Sequence, residues 1–383
     1  MRKLAVLLLL TLSAPLAFPA KRVTVEKLEQ FLAASKSLSD EKLADRLSNL
    51  ELNERLSTAS LMRWKSQMPG NESRRALTAL ADESTFLKPP AAEIANKAPL
   101  DPEGQRQLLL LASEYAQKAI SRLPNFFASR QSTLFEDTPA RQSGGNFYPN
   151  EPLHYVDTSI ATVLYRSGSE KLDSATGTPT HDNRDGELTS SGQFGPVLAK
   201  VLTDTAQGTV EWSYWEQADS GPRAVFRYKV PRDKSHYNVQ LSLAWYKGDV
   251  VKEQPGYHGE ITIDPADGTV LRLTMLADLK PSNPMVRSDL MVEYGPVEIG
   301  GKTYICPLRS VTLVLAHSQT TPFRGGQSEL EGSRATPTYG EASRAEGPPQ
   351  TLLNDVAFDH YHIFRSDTEM LTGVKPVPNA NAN

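Results

Sequence analysis

The feature that most constrains this chain is an alternation of apolar and polar residues over positions 257–276, which a tight turn interrupts once. Side chains alternate between the two faces of a β-strand, so this period predicts two strands. The five residues 264–268, which include a proline and a glycine, are typical of a hairpin turn. The apolar positions are Ile261 and Ile263 before the turn, and Leu271, Leu273 and Met275 after it. We therefore expect an antiparallel hairpin here.

Similar patterns over the C-terminal two thirds predict a larger antiparallel sheet. Further strands are expected at residues 124–136, 158–166, 209–216, 223–230, 236–246, 289–294, 303–316 and 354–365. The most regular is 236–246, which would bury one face and expose the other. Large rings stand at alternate positions of two neighbouring strands, where they are expected to pair across the sheet: Trp212, Tyr214, Phe226 and Tyr228. Residues 193–205 have helical spacing and predict a helix that covers one face of the sheet.

Residues 23–123 have the spacing of amphipathic helices. Ser39 is placed to cap one helix, and Asp101 followed by Pro102 is a typical start for another. The segment 50–56 is charged enough to be the solvated face of such a helix. This helical domain can be a structural cap on the sheet or a platform that binds a partner, and leucine stripes at this spacing favour the cap. The predicted fold class is therefore α+β, with a helical region followed by an antiparallel sheet.

Residues 1–20 are typical of a secretory signal peptide. Arg2 and Lys3 precede an apolar run at 4–18, which is shorter than the roughly 20 residues that span a bilayer. Cleavage after Ala20 would leave Phe18 where a small residue is preferred, so both a cleaved and an uncleaved leader stay open. The expected location is periplasmic or extracellular, and no transmembrane segment beyond the leader is predicted.

Charge and cysteine content exclude several classes of protein. The 383 residues carry a formal net charge of −4, which indicates neither a nucleic-acid partner nor a polybasic membrane surface. The one cysteine, Cys306, cannot form a disulfide within the chain. It lies between apolar residues of a predicted strand, so we expect a small buried side chain and not a reactive thiol.

No motif predicts catalysis or a cofactor. The local signatures of serine hydrolases, zinc proteases, P-loops and dinucleotide sites do not occur, and the polar loop 181–187 does not fit a calcium-binding EF-hand. Glu211 and Glu216 flank a tryptophan-rich strand, but a glycosidase needs two carboxylates at a defined separation. The sequence therefore predicts no catalytic residue, no metal and no cofactor, and it does not define the residues that bind a ligand.

The histidine pair His360 and His362 is the candidate site that remains. Their spacing predicts two imidazoles on the same face of the last strand, which is a possible start for a zinc or copper site. The other explanation is a pair of hydrogen-bonded, half-buried histidines, which the lack of a matching Cys or Glu cluster favours. His154, His236 and His258 are isolated in the sequence.

Two polar segments are expected to lie outside the core. Residues 317–350 are rich in Ser, Thr, Gly, Pro and Arg, and this insert is predicted to be a mobile loop. Residues 371–383 are predicted to be a disordered tail. The domains expected are thus the signal peptide at 1–20, the helical domain at 23–123 and the sheet domain at 124–370.

The leader, the hairpin Ile261-Thr262-Ile263-Asp264-Pro265 through Gly268 to Leu273, and the closing strand Phe358-Asp359-His360-Tyr361-His362-Ile363-Phe364-Arg365 together resemble periplasmic lipoprotein carriers of the LolA/LolB type. The resemblance covers residues 123–370 and implies a strongly curved half-barrel around a helical lid. In that family an apolar cavity shields acyl chains of lipoproteins, and no reaction is catalysed. The helical region and the insert depart from these compact carriers. The whole chain also resembles secreted bacterial proteins with a helical front and a β-rich rear.

These observations predict a secreted, non-enzymatic envelope protein that binds a lipid, an acyl chain or a protein partner on its curved sheet. The alternative is a structural or interaction protein whose sheet is filled by its own side chains. Co-purifying lipid would distinguish the two.

Overall fold

The computed structural model describes residues 20–143, 146–173, 192–242, 250–281, 283–319 and 346–363. Six α-helices lie within these ranges. They are α1 (Val25–Ala34), α2 (Asp40–Ser48), α3 (Thr58–Lys65), α4 (Asn71–Glu83), α5 (Pro102–Arg122) and α6 (Pro196–Thr205). The predicted signal peptide, the polar loop 181–187 and the predicted tail lie outside the described residues.

The strands define an α+β protein, as the sequence predicts. They are β1 (Lys21–Val23), β2 (Leu50–Leu52), β3 (Phe126–Thr138), β4 (Arg141–Ser143), β5 (Asn146–Tyr148), β6 (Glu151–Arg166), β7 (Ser169–Asp173), β8 (Thr209–Ala218), β9 (Gly221–Val230), β10 (Val239–Ser242), β11 (Val250–Glu253), β12 (Tyr257–Ile263), β13 (Val270–Ala277), β14 (Met285–Ile299), β15 (Lys302–Gln319) and β16 (Glu346–Ile363). Ten of them form one antiparallel sheet in the order β7-β6-β3-β16-β15-β14-β13-β12-β9-β8. Its edge strands, β7 and β8, lie at opposite ends, so the sheet is open. Half-barrel curvature stays a prediction.

The predicted hairpin at 257–276 is confirmed as β12 and β13. Ile261 pairs with Leu273, and the amide of Gly268 donates to the carbonyl of Asp264 at 3.0 Å to close the turn. Gly268 has a φ of 80°, which glycine adopts without strain, and its α-carbon lies against Leu111 of α5. The turn therefore fixes both the register of the hairpin and its contact with a helix.

Helices cover both faces of the sheet. The α5 face is the side that includes Phe226, Ile261, Leu273 and Val292, and it packs against α5 and α6. Coverage by the predicted helix at 193–205 is thereby confirmed, with α5 as a second cover. The opposite side, here called the bundle face, is covered over β3, β14, β15 and β16 by α4, whose Ala79 packs against apolar side chains of these strands. Both faces of the central strands are thus buried.

Helices α1 to α4 form a bundle with a core of its own. Its fully buried side chains include Leu28, Leu47 and Leu77. Ser39 is the N-cap residue of α2, but its side chain makes no capping hydrogen bond. Asp101 does cap α5, accepting from the amide of Gly104 at 2.7 Å. Helix α5 packs on the sheet, while the predicted division into domains stays a prediction.

Three expectations about local structure need correction. Within the predicted strand 236–246 the structure has β10 at Val239–Ser242, which pairs with β11 and not with the described strands of the large sheet, and residues 243–246 lie outside the described residues. The charged segment 50–56 is not part of a helix, since residues 50–52 pair with 21–23 in parallel. The predicted insert at 317–350 is too long at both ends, since His317 belongs to β15 and Gln350 to β16.

A bulge in β8 separates the aromatic rings that the sequence places together. The register between β8 and β9 shifts between Trp212 and Tyr214. Trp212 stays on the α5 face, where its ring packs edge-on against Phe226 with centroids 5.3 Å apart. Tyr214 turns to the bundle face and donates to Glu260 at 3.0 Å. Cross-strand pairing is therefore confirmed for Trp212 and Phe226 and wrong for Tyr214.

No helix among the described residues is long and apolar enough to cross a membrane.

Candidate functional site

An open cleft of about 520 Å³ lies on the bundle face, where the helical bundle leaves β8, β9, β12 and β13 uncovered. One wall is the segment that follows α4. The residues that line the cleft are Phe86, Leu87, Lys88, Thr209, Glu211, Arg227, Tyr228, Lys229, His258, Gly259, Glu260, Arg272, Thr274, Leu276 and Asp278. Clefts of roughly 300–1,000 Å³ with apolar walls and a few polar groups are typical of ligand sites. This cleft is therefore the candidate binding site.

The pairing of β12 with β13 opens beside the cleft. His258 pairs with Leu276 and Ile261 with Leu273, but the regular backbone pairing is absent at Gly259 and Glu260, and the Glu260 amide donates to the Thr274 hydroxyl at 2.8 Å. The Tyr228 hydroxyl instead donates to the carbonyl of Thr274 at 2.6 Å. A Cβ on Gly259 would stand 1.9 Å from that carbonyl oxygen. Only glycine fits here, so the opening is built into the sequence.

Three carboxylates in the lining are held by polar partners. Arg227 donates to Glu211 from two nitrogens, at 2.6 and 3.0 Å. His258 Nδ1 lies 2.8 Å from Asp278, and the Tyr214 hydroxyl donates to Glu260 at 3.0 Å. Burial, together with the charge of Glu260, raises the pKa of Tyr214 well above its ordinary value. The hydroxyl of Tyr214 therefore stays protonated as a donor.

A buried network of charges joins the bundle to the sheet behind the cleft. Arg309 of β15 donates to Asp82 of α4 and, at 2.8 Å, to Asp355 of β16. Burial raises the pKa of Asp82, and Arg309 offsets this only in part because two carboxylates share one guanidinium. Burial alone would lower the pKa of Arg309, but Asp355, Asp82 and Glu293 outweigh burial and raise it. The arginine is thus fixed as a cation.

A second buried ion pair extends this network towards β8. Arg55 Nη2 lies 2.7 Å from Glu216, and both side chains are largely buried. Ile94 forms a bridge with Glu216 through the backbone, so the linker after the bundle is fastened to the same strand. Since Glu211 and Glu216 each pair with an arginine, both predicted carboxylates have structural partners.

The α5 face offers little space. The gap between α5, α6 and the sheet has a volume of about 30 Å³, roughly that of one water molecule. Aromatic rings fill the neighbouring layer, where Phe194 packs against Phe126, Phe358 and Tyr361 with centroids 5.0 to 6.1 Å apart. In the conformation described, an acyl chain does not fit beneath α5 unless that helix moves.

A bulge interrupts β16 at the histidine pair, and His360 and His362 are both exposed, where the sequence favours half-buried histidines. His360 has a φ of 49°, and the pairing of β16 with β3 shifts by one residue between Asp359 and His362. This bulge breaks the alternation, so a common face does not follow from the spacing. His360 Nδ1 lies 2.7 Å from Asp359 and its side chain is 74% exposed. Within the described ranges no group of three or more His, Cys, Asp or Glu side chains is placed to hold a metal ion.

Two other predicted features have clear outcomes. Cys306 is a buried free thiol, as expected, and burial raises its pKa to about 12. His236, isolated in the sequence, lies 2.6 Å through Nδ1 from the fully buried carboxylate of Asp204, which also accepts from Tyr257 at 2.8 Å. This cluster fastens the end of α6 to the sheet and does not line the cleft.

Sequence reasoning did not single out Arg272, Asp82 or Arg309. Arg272 stands between Leu271 and Leu273, and a charge between apolar residues of a strand is a local signal for burial. Asp82 and Arg309 lack that signal, because Glu83 and Ser310 follow them. Their partners lie up to 251 positions away in the chain. The network therefore becomes visible only in the folded protein.

Comparisons with known proteins give no family for this chain. No protein-family model matches it, and no curated protein matches it. Among solved structures it is similar to a DUF1329 family protein from Desulfovibrio piger ATCC 29098, with a TM-score of 0.27 and 8% sequence identity, over 70% of this chain and 95% of that one. At that level of likeness nothing about function is transferred. The fold and the cleft define the class: an α+β protein built on a large open antiparallel sheet.

Proposed function

We propose that this is a secreted, non-enzymatic protein of the cell envelope that binds an amphipathic ligand, such as a lipid, in the cleft on the bundle face. The observation that carries the proposal is an open cleft of about 520 Å³ in a sheet whose other face is filled. Phe86, Leu87 and Leu276 supply apolar walls, and the charged side chains supply polar ends. The apolar run near the N-terminus supports secretion.

A structural or interaction protein is the second candidate. The residual space of about 30 Å³ under α5 and α6 favours a sheet filled by its own side chains. A protein of this kind would bind no small molecule, and its envelope partner would contact the outer surface. The two candidates differ in whether the cleft is occupied.

Native mass spectrometry of the protein purified from the envelope fraction, followed by lipid extraction, tests the proposal. We expect one amphipathic molecule per chain, either co-purified or taken up from added lipid. Leu276→Asp places a charge on the apolar wall and should weaken uptake on the order of tenfold or more.

The matched control is Leu110→Asp on α5, outside the cleft, where the leucine is 53% exposed. It should bind as the wild type does. A clean apo mass with no uptake of added lipid would contradict the proposal and leave the interaction protein as the better explanation.

A further inference from the structure

Arg272 is a buried arginine that lines the open cleft. The residue is 7% exposed and lies on β13, between the apolar wall and the charged network. Its Nη2 donates to the carbonyl of Thr85, just after α4. Its Nε has no hydrogen-bond partner among the residues that the structure describes. A buried guanidinium with an unused donor is costly unless an anion is supplied.

The protein only partly neutralises this guanidinium. Glu293 is the carboxylate nearest to it, 4.0 Å from Nε, and both of its oxygens already accept from Thr58, at 2.9 and 2.7 Å. Burial is the main cause that lowers the pKa of Arg272 to about 10, and the positive charge of Arg55 lowers it further, while Glu293, Glu216 and Glu260 raise it. Three carboxylates thus act on Arg272, but none of them accepts a hydrogen bond from its Nε among the residues that the structure describes.

The rim of the cleft has free cations as well. Lys88 and Lys229 are exposed, and neither has a carboxylate within ion-pair distance in the described part of the chain. The lining carboxylates are already engaged: Glu211 with Arg227, Asp278 with His258, and Glu260 with Tyr214. An anion that enters the cleft thus meets three cations without a close ion pair.

From this geometry we infer that the cleft binds the anionic head group of its ligand, a carboxylate or a phosphate, at Arg272. The apolar part of the ligand then lies along Phe86 and Leu276. This placement rests on the proposed function. Guanidinium groups bind carboxylate and phosphate oxygens through charge-assisted hydrogen bonds. The side chain of Arg272 supplies positive charge at the wall of the cleft, and Lys88 and Lys229 attract the same anion from the rim.

Calorimetric titration of the full chain with dodecanoate, dodecyl phosphate, dodecanol and inorganic phosphate tests the inference. The first three probes share one chain length, so their affinities differ through the head group alone. We expect the two anionic amphiphiles to bind about tenfold or more tightly than dodecanol. Arg272→Gln should abolish this preference while keeping the binding of dodecanol.

Arg106→Gln is the matched control, because it removes the same charge from an exposed residue of α5, outside the cleft, that is already paired with Glu103. It should keep the preference. Lys229→Gln is the second variant, since an exposed lysine can be replaced without disturbing the buried network. It should weaken the binding of the anionic amphiphiles several-fold and leave the binding of dodecanol unchanged. This variant tests the inference even if Arg272→Gln fails to fold.

The failures of the two proposals are distinguishable. Equal affinity of the wild type for dodecanol and dodecanoate overturns the anion site and leaves the amphipathic cleft intact. No binding of any probe overturns both. If inorganic phosphate binds as tightly as dodecyl phosphate, and Arg272→Gln abolishes that binding, the anion site is supported and its ligand is a free anion. The proposal of a lipid ligand is then overturned.

Discussion

Arg309 on strand β15 pairs with Asp82 on helix α4, and this contact joins the helical bundle to the sheet. Asp82 is fully buried and the side chain of Arg309 is 12% exposed, so water cannot replace either partner. The same guanidinium reaches Asp355 at 2.8 Å. This arginine therefore helps to hold α4, and with it the wall of the cleft, over the sheet.

Replacing Arg309 by methionine should strongly destabilise the protein. The change leaves Asp82 and Asp355 buried without their cation, which costs about 3–5 kcal/mol of the free energy of unfolding. Chemical denaturation measures the difference. Arg22→Met is the control, because its ion pair with Glu51 is exposed and its loss should leave the midpoint nearly unchanged. Equal midpoints for Arg309→Met and the wild type would show that the network does not stabilise the fold.

Asp82 should make stability depend on pH. Its pKa is raised in the folded state by burial, so the folded protein binds this proton more tightly than the unfolded chain does. The contribution of Asp82 is thus largest at acid pH and is lost as the pH rises through the folded-state pKa. We expect the Tm of the wild type, relative to that of Asp82→Asn, to fall as the pH rises from about 4 towards neutrality. If the Tm of the wild type rises relative to that of Asp82→Asn as the pH rises, Asp82 does not have a raised pKa in the folded protein.

Gly259→Ala should disturb the sheet beside the cleft. The added Cβ would stand 1.9 Å from the Thr274 carbonyl oxygen and 3.0 Å from the Tyr228 hydroxyl, so the strands must move apart. We expect a loss of about 2 kcal/mol in urea denaturation. Tyr228→Phe removes only the hydrogen bond and should cost about 1 kcal/mol. A smaller effect of Gly259→Ala than of Tyr228→Phe would contradict the steric explanation.

Cys306 should be unreactive in the folded protein. Burial holds its pKa near 12, so almost no thiolate exists at pH 8. Ellman's reagent should label the native protein very slowly and label one thiol per chain rapidly in guanidinium chloride. The chain has a single cysteine, so the count is unambiguous. Fast labelling of the native protein would indicate that the layer around Cys306 opens readily.

The sequence predicts the hairpin of β12 and β13 correctly, because the period of a strand and the chemistry of a turn are local. It does not predict the role of Arg272. Alternation places this residue on the side opposite Leu273, but it does not say what covers that side. The cover comes from Thr85, 187 positions away in the chain, and from the bundle to which Thr85 belongs. The candidate site is therefore a property of tertiary packing.

Bulges explain the other differences between sequence and structure. Tyr214 and His360 both lie where a register shift adds one residue, and such a shift reverses the face of every residue beyond it. Neither position carries a glycine or proline that would signal the irregularity. The partner strand determines where the extra residue is placed, so alternation counted along one strand fails at these points.

The central place of β16 has a consequence for biosynthesis. This strand is the last of the sheet in the chain, yet it lies between β3 and β15 and pairs with both. Until it has been synthesised and inserted, the earlier strands make two separate sheets, each with an unpaired edge. Such edges readily join other chains. Insertion of β16 is thus the step that removes both of these edges and completes the sheet.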